Sequence, residues 1–249
     1  MPKLRRGRSV TAVPARVAAF FDIDKTVLEI NSGTKWIAYM RRTGQMGVVE
    51  LARALKWLLQ YRFGLLDYEA MATRVLQAYA GKQVAPLARE IEQWFLDEVR
   101  WAICVEARER IARHRDAGET VVLLTSATQF MTQPLARELD IEHMLCTTIE
   151  VEGEHFTGRH VRPACYGAGK VHYAEAYARA HDVALERSYF YSDSYTDLPM
   201  LERVGHPVVV NPDPRLRRVA SQRGWPIEIW RAPVSTPSKD TNDVGFRAG

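Results

Sequence analysis

Two short apolar segments of the sequence each end in a pair of acidic residues. Asp22 and Asp24 follow VAAFF at residues 17–21, and Asp193 and Asp197 follow SYFYS. Carboxylates at the end of a buried strand cost free energy unless they meet a cation. Mg²⁺ prefers oxygen ligands and often binds together with phosphate groups. The residues therefore indicate a site for a magnesium ion and a phosphate ester.

Each acidic pair has a simpler interpretation when it is taken alone. An aspartate at a strand end often accepts hydrogen bonds from the following turn or caps a helix. Two acid-tipped strands of one parallel sheet, however, end at the same edge, where their carboxylates repel each other without a cation. The combination favours a metal site, in which Asp22 could attack phosphorus and Asp24 could act as acid and base.

Two further residues could bind the phosphoryl group. Ser126 ends the apolar segment TVVLLTS, and its hydroxyl and the backbone N–H of Ala127 at a helix start form a phosphate-binding arrangement. Lys170 begins another helix, where a cation is unfavourable unless an anion lies nearby. Taken singly, each residue has a simpler interpretation, Ser126 as a helix cap and Lys170 as a solvated side chain. Together with the aspartates they supply every group that phosphoryl transfer needs.

The alternation of strand-like and helical segments predicts an α/β fold. Helical periodicity fills most intervals between the apolar, β-favouring segments, and a hairpin is expected at residues 152–154. This order predicts a Rossmann-like parallel sheet with helices on both faces. The strand-like segments are residues 17–21, 120–125, 144–151, 188–192, 207–210 and 227–230.

The segment at residues 32–100 differs, because it lacks strand-like stretches and places apolar residues at helical spacing. It predicts an all-helical cap inserted into an α/β core formed by residues 17–31 and 101–231. Residues 1–16 predict a basic flexible tail, and residues 232–249, which are polar and rich in proline and glycine, predict a second one.

Composition excludes several classes of protein. No apolar run is long enough to span a membrane, and no apolar segment typical of a secretion signal follows the basic start. The five basic residues of the first sixteen exceed the net charge of +4, so the remainder is near neutral and no nucleic-acid partner is expected. Cys104, Cys146 and Cys165 lack metal-ligand spacing, which favours reduced thiols and a cytoplasmic location. Composition does not indicate an oligomeric state.

Four motifs resemble those of the haloacid dehalogenase superfamily: DIDKT, the strand ending in Ser126, GK at 169–170 and SDSYTD at 192–197. The resemblance spans about residues 17–230. The position of the helical cap resembles subfamily IB, the subgroup that includes phosphoserine phosphatases. The resemblance implies magnesium-dependent hydrolysis of a small phosphorylated metabolite through an aspartyl-phosphate.

The resemblance also implies a role for each residue of the motifs. Asp22 would be the nucleophile and a metal ligand, Asp24 would be the acid and base and bind the metal through its carbonyl, and Asp193 would complete the metal site. The phosphoryl group would be held by Ser126, Ala127 and Lys170. Thr26 would brace the first loop, and Asp197 would support the metal or Lys170.

Two departures from phosphoserine phosphatases bear on the substrate. These enzymes carry a glutamate that binds the substrate amine where this chain has Asn31, and Gly-Gly where it has Ala127 and Thr128. Phosphoserine is therefore not expected to be the preferred substrate. Candidate specificity residues lie in the first cap helix, where Trp36 and its neighbours are also expected to pack. They are Asn31, Lys35, Trp36, Arg41 and Arg42.

Three other functions are alternatives to a phosphatase. A phosphotransferase would use the same residues, and only competition between water and an acceptor alcohol separates the two activities. A non-catalytic phosphate-binding module would lack a catalytic residue, yet Asp22, Asp24, Lys170 and Asp193 are all present. A nucleotide-binding oxidoreductase would need a glycine-rich turn after the first strand, where DIDKT stands instead.

Overall fold

The computed structural model describes residues 15–62 and 67–233. Most of the two predicted tails therefore lies outside the described residues. Arg16, which we placed in the first tail, forms a parallel β-bridge with Val183. The backbone N–H of Ala232, the first residue of the second tail, donates to the Glu29 carboxylate at 3.0 Å. These two residues are thus attached to the α/β core.

Six strands form one parallel sheet in the order β3-β2-β1-β6-β7-β8, and β4 and β5 form a separate antiparallel hairpin. The parallel sheet and the hairpin agree with the α/β fold expected from the sequence. The strands of the described residues are β1 Ala18–Phe21, β2 Thr120–Thr128, β3 His143–Thr147, β4 Ile149–Glu152, β5 His155–His160, β6 Tyr189–Ser192, β7 His206–Val210 and β8 Ile227–Glu228.

Helices cover both faces of the sheet because the strands are apolar on both sides. Within β1, Phe21 packs into one buried cluster and Phe20 into another. The first cluster takes residues from α4, α5 and α6, and the second from α7, α8 and α9. The helices are α1 Ser32–Arg42, α2 Val48–Arg62, α3 Tyr68–Gln77, α4 Val84–Trp94, α5 Val105–Asp116, α6 Gln129–Glu138, α7 Ala168–His181, α8 Leu198–Leu201 and α9 Pro214–Arg223.

The segment expected to be the helical cap contains α1 to α4. Ile91 and Trp94 of α4 pack in the same cluster as Phe21, so this segment shares the core of the sheet. Two apolar residues of α2 are well exposed, however, since Val48 and Leu55 have 73% and 52% relative accessibility. No helix among the described residues is both long and apolar enough to cross a membrane.

The strand predicted at residues 144–151 is divided into β3 and β4. Its second half leaves the parallel sheet and pairs with β5. The Gln129 side chain replaces the lost sheet partners, since its oxygen accepts from the Ile149 N–H at 2.8 Å and its NH₂ group donates to the Ile149 carbonyl at 2.9 Å. This amide, which sequence periodicity does not reveal, lets the chain turn there.

Gly169, which precedes Lys170 in α7, lies against another part of the backbone. A Cβ atom at this position would lie 2.0 Å from the Ala164 carbonyl oxygen. We expect Gly169→Ala to lower the free energy of unfolding by about 2 kcal/mol or more, because the loop must move to relieve the overlap. Gly33→Ala is the matched control, since its Cβ would meet nothing closer than 3.5 Å. Equal urea-unfolding midpoints for the two variants would contradict this account.

Candidate active site

The acidic residues lie where the parallel strands end. Asp22 follows β1, and its backbone N–H donates to the Tyr191 carbonyl of the neighbouring β6 at 2.9 Å. Asp193 follows β6 directly, and Lys170 lies in the first turn of α7. The carboxyl edge of the sheet therefore brings the predicted aspartates and lysine together, as the order of strands requires.

Lys170 is the cation at the centre of this cluster. Its ammonium group donates to Asp22 Oδ1 and to Asp197 Oδ2, both at 2.7 Å, and only 2% of the residue is exposed. Burial alone would lower the pKa of Lys170, but the Asp197 and Asp22 carboxylates outweigh it and raise that pKa. Lys170 therefore keeps its positive charge in the protein interior.

Asp197 is fixed by a second hydrogen bond. The Ser192 hydroxyl donates to Asp197 Oδ2 at 2.6 Å, and the same hydroxyl oxygen accepts from the Ser194 N–H. Asp197 thus contacts Lys170, which is one of the two roles expected for it. The hydroxyl of Thr26, expected to brace the first loop, is buried without a hydrogen-bond partner among the described residues.

The two carboxylates expected to bind the metal are compensated unequally, since only Asp22 contacts Lys170. Burial raises the pKa of Asp22 to about 7, although Lys170 acts against it. Burial and the Asp22 carboxylate raise the pKa of Asp193 well above its usual value. Among the described residues, no hydrogen-bond donor to the Asp193 carboxylate is found, and only 8% of this residue is exposed. A buried anion without a donor favours a bound cation.

These carboxylates offer the oxygen ligands that Mg²⁺ prefers. Asp22 and Asp193 could hold it from two neighbouring strands. No group of three histidine, cysteine or acidic side chains suited to a metal occurs in residues 15–62 and 67–233. The remaining ligands would have to be backbone carbonyl groups, water or the substrate, as is usual for Mg²⁺.

The Asp24 side chain points towards the start of α1. Its Oδ1 accepts from the Ser32 N–H at 2.8 Å and its Oδ2 accepts from the Asn31 amide at 3.2 Å. The Ser32 N–H is one of the groups that a helix start leaves without a partner. Burial raises the pKa of Asp24, and the Ser32 bond acts against it. Asp24 therefore ties the sheet edge to the first helix of the cap segment.

The surroundings of Ser126 differ from those predicted. The helix expected from about residue 129 is confirmed, since α6 begins at Gln129. β2 continues to Thr128, however, so the expected strand end at Thr125 is wrong and Ser126 lies within the strand rather than at the helix start. The Ser126 carbonyl accepts hydrogen bonds from the Tyr68 and Thr147 hydroxyls at 2.6 and 3.0 Å, which hold this segment extended. Phosphate binding by Ser126 stays a prediction, but it can no longer rely on N–H groups at a helix start.

The Ala127 N–H, expected to bind phosphate, donates at 3.2 Å to the Thr125 hydroxyl. This bond is at the long end of the usual range, so a phosphate oxygen could compete for the donor. Thr125 lies in the same apolar segment as Ser126, but the sequence did not identify it as a residue of the site. An isolated threonine inside a strand carries no signal of a local side-chain bond.

The start of α3 contacts the sheet edge through residues that the sequence analysis missed. Tyr68 stacks on Tyr166 with ring centroids 4.6 Å apart, in addition to its bond to Ser126. Glu69 accepts from the His160 ring and from the Ala164 N–H at 2.7 and 2.6 Å. Nothing in a helical pattern shows which helix start faces the sheet, so these contacts required the structure.

The predicted specificity residues are spread over α1. Asn31 caps this helix by accepting from the Thr34 N–H at 2.8 Å, besides contacting Asp24. Trp36 packs against Trp94 with centroids 5.0 Å apart, which is the packing role considered for it. Among the described residues, the remaining three candidates form no hydrogen bond or ion pair with the aspartates of the site. Lys35 lies over the Trp101 ring and Arg42 forms an ion pair with Glu98. Arg41 is exposed.

The fold and these motifs agree with a comparison to known families. The model for haloacid dehalogenase-like hydrolases matches residues 19–202, which include the aspartates, Ser126 and Lys170. The chain belongs to the haloacid dehalogenase-like hydrolase family.

Two relatives and a solved structure extend this assignment. A probable phosphatase of Mycobacterium tuberculosis is 37% identical over 231 residues, covering 90% of this chain and 79% of that protein. Phosphoserine phosphatase SerB1 of the same species is 34% identical over 221 residues, covering 86% and 71%. A Bordetella pertussis protein of unknown function has a crystal structure similar to this one, with a TM-score of 0.78, 32% identity and coverage of 87% and 99%. The prediction that this chain is an enzyme of the phosphatase class is confirmed.

Lys170→Met would leave the buried Asp22 and Asp197 carboxylates without their cation. At pH 7 we expect the free energy of unfolding to fall by about 3 kcal/mol or more. Without the cation the Asp22 carboxyl group should have a higher folded-state pKa than in the wild type. A raised pKa stabilises the fold at low pH, and that contribution is lost as pH rises through the folded-state value, which is already about 7 for Asp22. The deficit relative to wild type should therefore shrink as pH falls from 8 towards about 7, and it should vary little at lower pH, where Asp22 is protonated in both folded proteins.

Urea unfolding of both proteins from about pH 5 to pH 8 measures this difference. Lys56→Met on the exposed face of α2 is the matched control, and it should change the free energy of unfolding by less than about 0.5 kcal/mol throughout. A deficit of Lys170→Met that does not vary with pH would show that carboxylate repulsion is not its cause.

Tyr68→Phe would remove the hydrogen bond to the Ser126 carbonyl and keep the ring stacked on Tyr166. We expect α3 to lose about 1 kcal/mol of protection against opening, which amide hydrogen exchange of α3 measures. Tyr177→Phe is the control, because the Tyr177 hydroxyl is buried without a partner among the described residues. Unchanged exchange of α3 in Tyr68→Phe would mean that this bond does not hold the helix.

Proposed function

We propose that the chain is a magnesium-dependent phosphatase that hydrolyses a small phosphorylated metabolite through a phosphorylated Asp22. The observation that carries this proposal is the position of Asp22, which is buried at the end of β1 and bonded to the Lys170 ammonium at 2.7 Å. A carboxylate held in this way is oriented for attack, and its neighbours supply the charge that phosphoryl transfer requires.

In the first step, an Asp22 oxygen attacks phosphorus while the bond from phosphorus to the leaving alcohol oxygen breaks. Asp24 gives its proton to that oxygen. Burial raises the pKa of Asp24 and so moves it towards the range that a general acid needs. Lys170, and the Ser126 hydroxyl, would bind the phosphoryl oxygens, and a magnesium ion held by Asp22 and Asp193 would neutralise their charge.

In the second step, water attacks the phosphorus of the phosphorylated Asp22. Asp24, now ionised, takes a proton from this water, and the bond between phosphorus and the Asp22 oxygen breaks. Inorganic phosphate and the free Asp22 carboxylate result. Because Asp24 is fixed by the Ser32 N–H and the Asn31 amide, it stays at one position while it changes from acid to base.

The substrate is proposed to be something other than phosphoserine, although one relative is named a phosphoserine phosphatase. Asn31 stands where a glutamate would bind the substrate amine. The Asn31 side chain has no negative charge that would attract an ammonium group. Its oxygen already accepts from Thr34, and its NH₂ group donates to Asp24. A site without this glutamate lacks its electrostatic preference for a substrate amine.

Asp22→Asn tests the mechanism, because it removes the nucleophile with almost no change of volume. We expect release of inorganic phosphate to fall about 10³-fold or more while the fold is retained. Wild type and variant would be assayed with phosphorylated amino alcohols, sugars, nucleotides and lipid head groups, with magnesium or with EDTA. One substrate that depends on both Mg²⁺ and Asp22 would also define the substrate class.

The control is Asp116→Asn, an exposed aspartate at the end of α5 that should leave activity unchanged. Comparable activity in Asp22→Asn and wild type would contradict the nucleophilic role. Activity that EDTA leaves intact would contradict the magnesium dependence.

A further inference from the structure

The segment Asn211–Asp213, which follows β7, contacts both acidic loops of the proposed metal site. β7 is separated from β1 by β6 in the sheet order. The loop after β7 nevertheless reaches the loop after β1, which carries Asp24, and the loop after β6, which carries Asp193. Neither Asn211 nor Asp213 has a role in the mechanism above.

Asn211 connects the first loop to the far side of the sheet. Its amide NH₂ group donates to the Lys25 carbonyl and to the Trp230 carbonyl, both at 3.1 Å, and its oxygen accepts from the Trp230 N–H at 3.0 Å. Its own backbone N–H donates to the Glu228 carbonyl at 3.0 Å. Lys25 is the residue next to Asp24, so the β1 loop is attached to the end of β8.

Asp213 holds the second loop in a similar way. Its backbone N–H donates to the Asp193 carbonyl at 2.9 Å, and its Oδ2 accepts from the Tyr195 N–H at 2.6 Å. Its other oxygen, Oδ1, caps α9 by accepting from the Arg215 and Leu216 N–H groups at 2.8 and 2.9 Å. One carboxylate thus fixes the loop of Asp193 relative to a helix.

We propose that Asn211 and Asp213 are positioning residues that fix the separation of the Asp24 and Asp193 loops and thereby set the affinity for Mg²⁺. This inference rests on the proposed function, because it assumes that magnesium binds between these loops. Mg²⁺ demands nearly ideal octahedral geometry with short bonds, so small loop displacements cost affinity.

Two nearly isosteric variants separate positioning from simple electrostatics. Asn211→Asp keeps the acceptor for the Trp230 N–H but places an oxygen against the Lys25 carbonyl, and it adds a negative charge. Asp213→Asn keeps the cap of α9 but turns an NH₂ group towards the Tyr195 N–H, and it removes a negative charge. Electrostatics alone would strengthen Mg²⁺ binding in the first variant and weaken it in the second.

Calorimetric titration of the metal-free full chain with magnesium chloride tests the proposal. We expect the Kd for Mg²⁺ to rise about tenfold or more in both variants, the usual effect of removing groups that orient metal ligands. Asn211→Gly is the second variant at that position. It removes the side chain without adding charge, and glycine adopts the observed φ of 44° without strain. It should also weaken binding.

Ser188→Ala is the matched control for lost stability. The Ser188 hydroxyl is buried before β6, where it accepts from the Ala18 N–H at 3.1 Å and donates to the Ala184 carbonyl at 2.7 Å. This variant should lower the melting temperature and leave the Kd for Mg²⁺ unchanged. Wild-type Kd in the Asn211 and Asp213 variants, or opposite changes in the two charge variants, would overturn the inference alone. A wild-type chain that binds no Mg²⁺ would overturn the proposed function and this inference with it.

Discussion

The buried ammonium group of Lys170 is the interaction on which the sheet edge depends. It lies between Asp22 and Asp197, so two carboxylates from different loops can be buried within a few ångströms of each other. Breaking such a pair exposes each carboxylate to an apolar interior without compensation. The helix that carries Lys170 is in turn placed by the close approach of Gly169 to the Ala164 carbonyl. Backbone packing therefore determines where the positive charge lies, and the charge determines which acids can lie beside it.

The helical segment between β1 and β2 is connected to this edge at two separate points. At the start of α1, Ser32 and Asn31 bind Asp24, and at the start of α3, Tyr68 binds the Ser126 carbonyl. Both contacts use a helix start, where backbone and side-chain groups are not committed to the helix itself. The proposed general acid and the proposed phosphate-binding strand thus each have a partner in the cap segment. A cap connected in this way can exclude water from the site, which strengthens its electrostatic interactions.

The sequence alone predicted the sheet, the helical segment and the acidic strand ends, because apolar periodicity and strand-end carboxylates are local patterns. It did not predict the division of residues 144–151 into two strands, since this depends on the Gln129 side chain. It also ended β2 at Thr125 rather than at Thr128. The hydroxyls that bind the Ser126 carbonyl and keep the strand extended come from Tyr68 and Thr147, which are distant in sequence. The exposed Val48 and Leu55 of α2 show the same limit, since periodicity indicates an apolar face but not what covers it. Asn211 and Asp213 form an ordinary turn and helix cap in the sequence, and only the fold brings them to the two acidic loops.

The proposed mechanism depends on the transfer of the phosphoryl group to Asp22 during turnover. Rapid acid quenching of the enzyme during hydrolysis of p-nitrophenyl phosphate with Mg²⁺, followed by peptide mass spectrometry, would detect this intermediate. We expect one added phosphoryl group on the peptide that contains Asp22, and its absence in the Asp22→Asn protein. A phosphoryl group on any other residue, or steady hydrolysis with no phosphorylated enzyme at any quench time, would rule out Asp22 as the nucleophile.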